Sequence, residues 1–196
     1  MPFLGVQPIR LFVSSQHRSE GRVVLELRDA RVADLACWER DWKPRLLTAG
    51  HAGAGWPWQE HIERASTDAG RLCLAMARGD RVEALASLVF QPAESRLEPG
   101  APIVYVEYVG TAPENQAPPI GSRAFRGLGG VLVREAVRLA SQMGIDGRVG
   151  LHSKQEVEGF YEALGFTAVE REVTPDGKWL YFETDPQAAR GMLGNA

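Results

Sequence analysis

The sequence predicts one mixed α/β domain of the α+β kind, and three observations predict it. Two pairs of β-rich runs are each closed by a glycine turn, at 71–90 around Gly79 and at 167–183 around Gly177. An amphipathic pattern over 131–143 follows a strand-like run at 103–112, so helix and strand alternate along the chain. With 196 residues, 44% of them hydrophobic and 24% charged, the chain has the material for one ordinary core.

Residues 1–21 read as an extension in which 7–15 form an edge strand, and 22–30, dense in valine and leucine, read as the next strand. Asp29 is placed to cap a helix whose Val32, Leu35, Ala36, Trp38 and Trp42 fall near one face. The stretch TAGHAGAGWPW, 48–58, reads as a flexible connection, and QEHIERAS as a short helix. RLCLAMARGDRVEALASLVF splits into two apolar runs about Gly79 and Asp80, the composition of an antiparallel hairpin. IVYVEYVGTA then alternates β-branched and aromatic residues, with Glu107 in its middle.

After the polar connection PENQAPPIGS comes RAFRGLGGVLVREAV. Leu132, Ala136, Leu139 and Met143 make one helical stripe beside Val133, Val137 and Ala140, with Arg134, Glu135, Arg138 and Gln142 directed the other way. GIDG closes that helix, because glycine takes the left-handed conformation at low cost. RVGLHS reads as a buried strand and QEVEGFYEAL as a helix stopped by Gly165. FTAVEREV and WLYFETD pair as a hairpin turning at Asp176 and Gly177, and PQAARGMLG, in the 186–196 tail, as a short helix.

A net charge of −3 supplies no general field for a nucleic-acid backbone, so no nucleic-acid partner is expected. No apolar run approaches membrane-spanning length, and the first residues lack a signal-peptide pattern; the expected location is the cytoplasm. Cys37 and Cys73 lie in apolar surroundings and read as buried thiols in a reducing compartment. Neither they nor His51 and His61 show ligand spacing, so no metal is expected.

The corner at 126–130 admits a phosphate cradle, a dinucleotide fingerprint or a tight approach to a packed helix. Glycines at Gly127, Gly129 and Gly130 let an anion approach unpaired helical N–H groups. The dinucleotide pattern fails because Leu132 stands at its third glycine and fifteen residues separate Thr111 from Gly127. No Gly-Lys-Ser/Thr follows, which excludes a Walker A loop.

The order of elements, with VYVEYVGTAPEN, FRGLGGVLVREAV and GFYEALGF, resembles the GNAT superfamily of acyl-CoA-dependent N-acetyltransferases over 22–185. The resemblance implies a mostly antiparallel sheet of six to seven strands flanked by helices, with two strands splayed to admit acetyl-CoA as co-substrate. It implies that Arg126, Gly127, Leu128, Gly129 and Gly130 hold the diphosphate, and that the pantetheine arm runs between the 103–111 and 147–152 strands. The pattern departs at Ala124, where relatives carry Arg or Gln, although Arg123 and Arg126 flank it. It departs again at Lys154, which stands where relatives often carry Asn and is a candidate phosphate contact.

Acyl transfer from a thioester to an amine needs a proton acceptor, an oxyanion donor and a proton for the thiolate. Glu107 is the candidate base, and the resemblance makes Tyr161 the candidate acid. Backbone amides of Val109, Gly110 and Thr111 are candidates for the oxyanion and the cofactor. Trp56 and Trp58 are candidates for an acceptor-binding lid or for core, and His152 for a substrate contact or second base. The implied activity is acetylation of a primary amine of a small molecule or peptide; the alternative is an idle acyl-CoA-binding module.

Overall fold

The computed structural model describes residues 10–90, 93–174 and 177–194. The first part of the strand read at 7–15, the loop at Gln91 and the Asp176 corner therefore lie outside the described residues. Among the described residues there are eight strands: β1 (Arg10–His17), β2 (Gly21–Asp29), β3 (Arg71–Arg78), β4 (Arg81–Val89), β5 (Val104–Thr111), β6 (Val149–Ser153), β7 (Thr167–Thr174) and β8 (Gly177–Glu183). Their hydrogen-bonded order is β1-β2-β3-β4-β5-β6-β8-β7, in a mixed and mostly antiparallel sheet. The count exceeds the six to seven expected because β1 pairs with β2 along its whole length, from Arg10 opposite Arg28 to His17 opposite Gly21.

The chain divides into two compact units, Met1–Ser87 with Tyr108–Leu132 and Leu88–Glu107 with Val133–Ala196. In the first, the core gathers Trp38, Trp42, Leu46, Trp58, Val82 and Leu85. The helical segment after β2 is not one straight helix. α1 (Asp34–Cys37) passes through a wide turn at Trp38–Trp42 into α2 (Lys43–Thr48). The widened turn directs Trp38 and Trp42 both inward, edge to face at 5.7 Å, while Val32 and Ala36 of the expected face are exposed.

Asp29 does not cap this segment. The residue before α1 is Ala33, and it is Asp34 that ties down the turn, accepting from the Arg31 N–H at 2.7 Å. Arg28 grips the same carboxylate with two bonds of 2.8 Å, a planar fork matched to a planar acceptor. The glycine-rich connection contains a tight turn, Ala52–Gly55, whose Gly53 N–H donates to His51 Nδ1. Trp58 opens α3 (Trp58–Thr67) and is 1% exposed, so it belongs to the core and not to a loop. Gly79, at φ 60°, makes the β3–β4 turn as read.

The connection beyond β5 doubles back on itself tightly. A Cβ on Gly121 would stand 1.9 Å from the Pro113 carbonyl oxygen, a backbone atom with no rotamer to yield. Gly121→Ala is expected to lower the unfolding free energy by about 1–3 kcal/mol through overpacking, read as a lower urea midpoint at unchanged slope.

In the second unit, β5 pairs in parallel with β6, and β8 lies antiparallel between β6 and β7. α4 (Leu128–Gln142) begins in the first unit and runs through the second, where Val133, Ala136, Val137, Leu139 and Ala140 are buried as the stripe predicts. Glu135 departs from the expected polar side: it is buried, with its carboxylate bridged by Arg138, which neutralises it one turn away. Gly144, at φ 77°, ends α4. α5 (Glu158–Ala163) stops at Gly165 as read, and α6 (Pro186–Gly194) closes the described chain.

Candidate functional site

The glycine corner belongs to the first unit and is held from behind by a buried carboxylate. Glu83 on β4 is 3% exposed; Asn115 Nδ2 donates to its Oε2 at 2.7 Å, and Arg81 lies 3.1 Å from Oε1. Asn115 Oδ1 in turn accepts the Phe125 N–H at 3.0 Å. The Ala124 N–H donates to Glu114 O, and the Ala124 carbonyl accepts from Arg18 N–H of the β1–β2 turn at 2.8 Å. Residues 122–125 are thus fixed on both sides before the chain turns at Gly127, whose φ of 78° favours glycine.

α4 starts immediately after that turn, and its first intrahelical bond is Val131 N–H to Gly127 O at 3.0 Å. The amides of Leu128, Gly129 and Gly130 therefore precede the helical ladder and present the positive end of the helix. Arg123 and Arg126 precede them in the chain and are exposed. Main-chain donors at a helix start have the chemistry that an anion such as a diphosphate needs.

The tail of β5 has an aromatic floor in the same unit. A Cβ on Gly110 would come within 3.1 Å of the Trp56 ring and 3.3 Å of the Trp58 ring, so glycine at this position lets both indoles lie against the strand. Tyr108 packs on Trp56 at 5.1 Å and on His61 at 4.8 Å, and His61 Nδ1 meets Ser87 Oγ at 3.1 Å. The Trp58 indole Nε1 is buried with no hydrogen-bond partner among the described residues. The Thr111 carbonyl accepts from Gln116 Nε2.

In the second unit, the β5–β6 register runs Val104 to Val149, Tyr105 to Gly150 and Val106 to Leu151, and stops there. Glu107 and His152 are the next residues on their strands, and β6 continues to Ser153. Alternation places Tyr105 and Glu107 on the face of Gly150 and His152, opposite the buried Val104, Val106, Val149 and Leu151. Glu107 is half-buried on this face.

His152 is bonded at both nitrogens. Tyr105 Oη lies 2.6 Å from Nδ1, and Glu172 Oε2 on β7 lies 3.0 Å from Nε2. Arg96 pairs with Glu172 and Glu170 and sits 3.9 Å over the Tyr181 ring. The bond from Arg96 holds the Glu172 carboxyl below its ordinary range. Beneath Tyr181 the fully buried Glu183 accepts from Ser95 Oγ, the Arg96 N–H and the Tyr181 hydroxyl. Burial, with Glu183 next, pushes the Tyr181 phenol well up.

Tyr161 on α5 packs its ring against Phe160, Phe166 and Phe182 at 5.0–5.8 Å. Its hydroxyl makes no hydrogen bond among the described residues, and burial pushes the phenol up to about 12. Lys154 sits over the Trp179 ring at 5.6 Å, which is where its ammonium is engaged. Sequence reasoning missed Tyr105, Glu172, Arg96, Glu83 and Asn115 as parts of these clusters. Asn115 lies in the quoted PEN, and Tyr105 stands two residues before Glu107 on one strand face, the one local signal for either.

No protein-family model and no curated protein matches the sequence. Solved structures do match in fold. The PaiA N-acetyltransferase of Thermoplasma acidophilum, solved in complex with coenzyme A, superposes with a TM-score of 0.55 at 15% identity, over 82% of this chain and 98% of its own. An acyl-CoA N-acyltransferase from Pseudomonas aeruginosa gives 0.51 at 16%, over 90% and 100%. A KacTA–DNA complex gives 0.51 at 17%, over 70% and 82%. The chain has the fold of the GNAT acetyltransferases.

Proposed function

We propose that this protein is an acyl-CoA-dependent N-acetyltransferase that moves an acetyl group to a primary amine of a small molecule or peptide by direct attack. The observation that carries the reading is the end of β5–β6 pairing after Val106 and Leu151, just where Glu107 and His152 follow. Strand edges left open within a sheet are costly unless a ligand pairs with them, and a pantetheine arm carries amides that do so.

In this reading the amides of Leu128, Gly129 and Gly130, with Arg126, hold the diphosphate of acetyl-CoA. Val109, Gly110 and Thr111 contribute main-chain groups to the thioester arm and the oxyanion. Glu107 takes the ammonium proton, directly or through water, and Tyr161 protonates the departing thiolate. Trp56 supplies an apolar contact for the acceptor, with Trp58 behind it, and His152 lies on the Glu107 face. Lys154 reaches a CoA phosphate only by leaving Trp179. The net charge of −3 supplies no general field for a nucleic-acid backbone, which supports an amine acceptor over a nucleic acid.

An idle acyl-CoA-binding module is the second reading, and the packing of Tyr161 among three phenylalanines favours it. Acetyl-CoA at one hundred times its dissociation constant is expected to stabilise the protein by about 2.7 kcal/mol. For a chain of this size that raises Tm by roughly 5–10 °C. An unchanged Tm overturns both readings. A raised Tm with no thiol released across a panel of alkyl, aryl-alkyl and peptide amines leaves the idle module.

A further inference from the structure

We propose that Arg18 and His17, at the turn between β1 and β2, are positioning residues for acetyl-CoA: they brace the segment that aims the glycine corner, and protonation of His17 releases the brace. The inference rests on the acetyltransferase reading. Arg18 meets the segment twice. Its N–H donates to the Ala124 carbonyl at 2.8 Å, and its guanidinium Nη1 donates to the Ser122 carbonyl at 3.2 Å. Between those carbonyls stands Arg123 at φ 55°, a left-handed conformation that is costly for a residue other than glycine. Such backbone persists only where its surroundings hold it. Further ties come from the Ser122 and Ala124 N–H groups to Glu114 O, at 3.2 and 2.9 Å, and from the Arg123 N–H to Gln116 O at 3.0 Å. Loss of the bonds from Arg18 lets Arg123 relax, four residues before Gly127.

His17 holds the turn in the shape that presents Arg18. Its Nδ1 accepts from the Glu20 N–H at 3.2 Å and the Ser19 N–H at 3.4 Å, with the Ser19 hydroxyl 3.3 Å away. In this state Nδ1 is a lone pair and the ring hydrogen is on Nε2. The ring also stands edge to face against Phe125 at 4.6 Å, and His17 and Phe125 form an antiparallel bridge. One side chain therefore touches both the turn and the segment before Gly127. Protonation puts a hydrogen on Nδ1, which then confronts two N–H donors. Both backbone bonds are lost, and the new donor turns toward Glu20 Oε1, 3.6 Å away.

The charged groups around His17 decide how that state is received. Its own turn presents Arg18 and Glu20. β2 presents Gly21 opposite it, with Arg22 bonded to Ser14. The corner segment presents the apolar Phe125, with Arg123 and Arg126 near it in sequence. β3 presents Arg78, which grips the Glu20 carboxylate through bonds of 2.9 and 2.7 Å and holds its carboxyl below the ordinary range. An imidazolium thus exchanges two backbone donors for a carboxylate already shared with Arg78. The brace is closed while His17 is neutral, and affinity for acetyl-CoA falls as pH falls.

The test is calorimetry of acetyl-CoA binding to the wild type, Arg18→Ala, Arg18→Lys and His17→Asn between about pH 8 and about pH 5, the span in which histidine titrates. Arg18 is exposed, so its substitution leaves the core alone. Arg18→Ala is expected to raise the dissociation constant about tenfold, roughly the worth of one hydrogen bond from a charged group, and Arg18→Lys to recover part of the loss. In transfer assays the KM for acetyl-CoA rises with it while kcat holds. His17→Asn keeps an oxygen acceptor for the N–H groups two and three residues on, as Asx turns do, and does not titrate. The wild type is expected to lose about tenfold more affinity than His17→Asn as pH falls, the titration of the ligand's own phosphates being common to both. Unchanged affinity in Arg18→Ala, or parallel pH curves for the wild type and His17→Asn, overturns the proposal. An independent readout on the wild type without ligand is hydrogen exchange of the Arg18 amide, expected to lose protection, relative to its intrinsic rate, as His17 protonates. Protection that does not change overturns the release. A wild type that binds no acetyl-CoA overturns the acetyltransferase reading and the positioning role with it, and the exchange result separates that failure from a turn that does not open.

Discussion

Asn115→Ala is expected to lower the unfolding free energy by about 3–5 kcal/mol and to weaken acetyl-CoA binding, because one side chain joins the buried β4 carboxylate to the glycine corner. Asn115 donates to both the backbone and the side chain of Glu83 and accepts from the Phe125 N–H, all in a buried setting. Alanine leaves the Phe125 amide without an acceptor and takes a charge-assisted bond from a carboxylate that is 3% exposed. Arg81 then remains as its cationic neighbour, itself shared with Glu114. For a chain of this length the loss corresponds to a fall in Tm of about 10 °C.

The binding defect separates this residue from an ordinary core contact. Phe125 directly precedes Arg126 and Gly127, so freeing its amide loosens the segment that aims the Leu128, Gly129 and Gly130 amides. Calorimetry on the variant at a temperature where it is still folded reads the affinity apart from stability. Unchanged affinity there assigns Asn115 to folding alone and leaves the corner self-supporting.

Much of the fold was legible because its signals are local. Gly79, Gly144 and Gly165 punctuate where they were read to, each at a positive φ that few other residues adopt, and the apolar stripe of α4 is buried as its period requires. The helix after β2 starts later than Asp29 suggests: Arg28, reaching Asp34 from the end of the strand, and the Arg31 N–H on the same carboxylate fix the turn before α1, which no side chain caps. The wide turn at Trp38–Trp42 changes the helical period for one turn, which no fixed-period template anticipates.

Contacts between distant segments were not legible. Glu83 and Asn115 are separated by 32 positions, and Tyr105 and His152 by 47, and neither pair shares a motif. Their meeting depends on strand register: Tyr105 stands opposite Gly150, which brings His152 within its reach. Trp58 is open between lid and core in the sequence, because the neighbouring glycines and proline suggest a loop, and its place at the start of α3, 1% exposed, puts it in the core. The candidate acid came from the family resemblance, the candidate base from a carboxylate in the middle of a strand, and the polar contacts of His152 from the geometry.

Tyr161→Phe is expected to lower kcat by about 100-fold while leaving the dissociation constant of acetyl-CoA unchanged, since a phenol that donates only to the departing thiolate contributes nothing to ground-state binding. Its protonation supports the assignment: burial pushes the phenol up to about 12, so it stays a donor across the physiological range. Its hydroxyl has no partner among the described residues to compete for that proton. The same shift has a consequence for stability. A phenol whose folded pKa lies above its unfolded value stabilises the folded state fully below about 10 and loses that contribution as pH rises towards about 12. The phenylalanine variant lacks this share of the alkaline loss, so its Tm is expected to fall less steeply than that of the wild type over that window. Tyr181, pushed up by burial and by Glu183, keeps a similar contribution in both proteins. The two measurements answer different questions. A gentler alkaline slope with wild-type turnover makes Tyr161 a packed aromatic of α5 and returns the thiolate's proton to solvent. The gentler slope together with the loss in kcat makes it the acid.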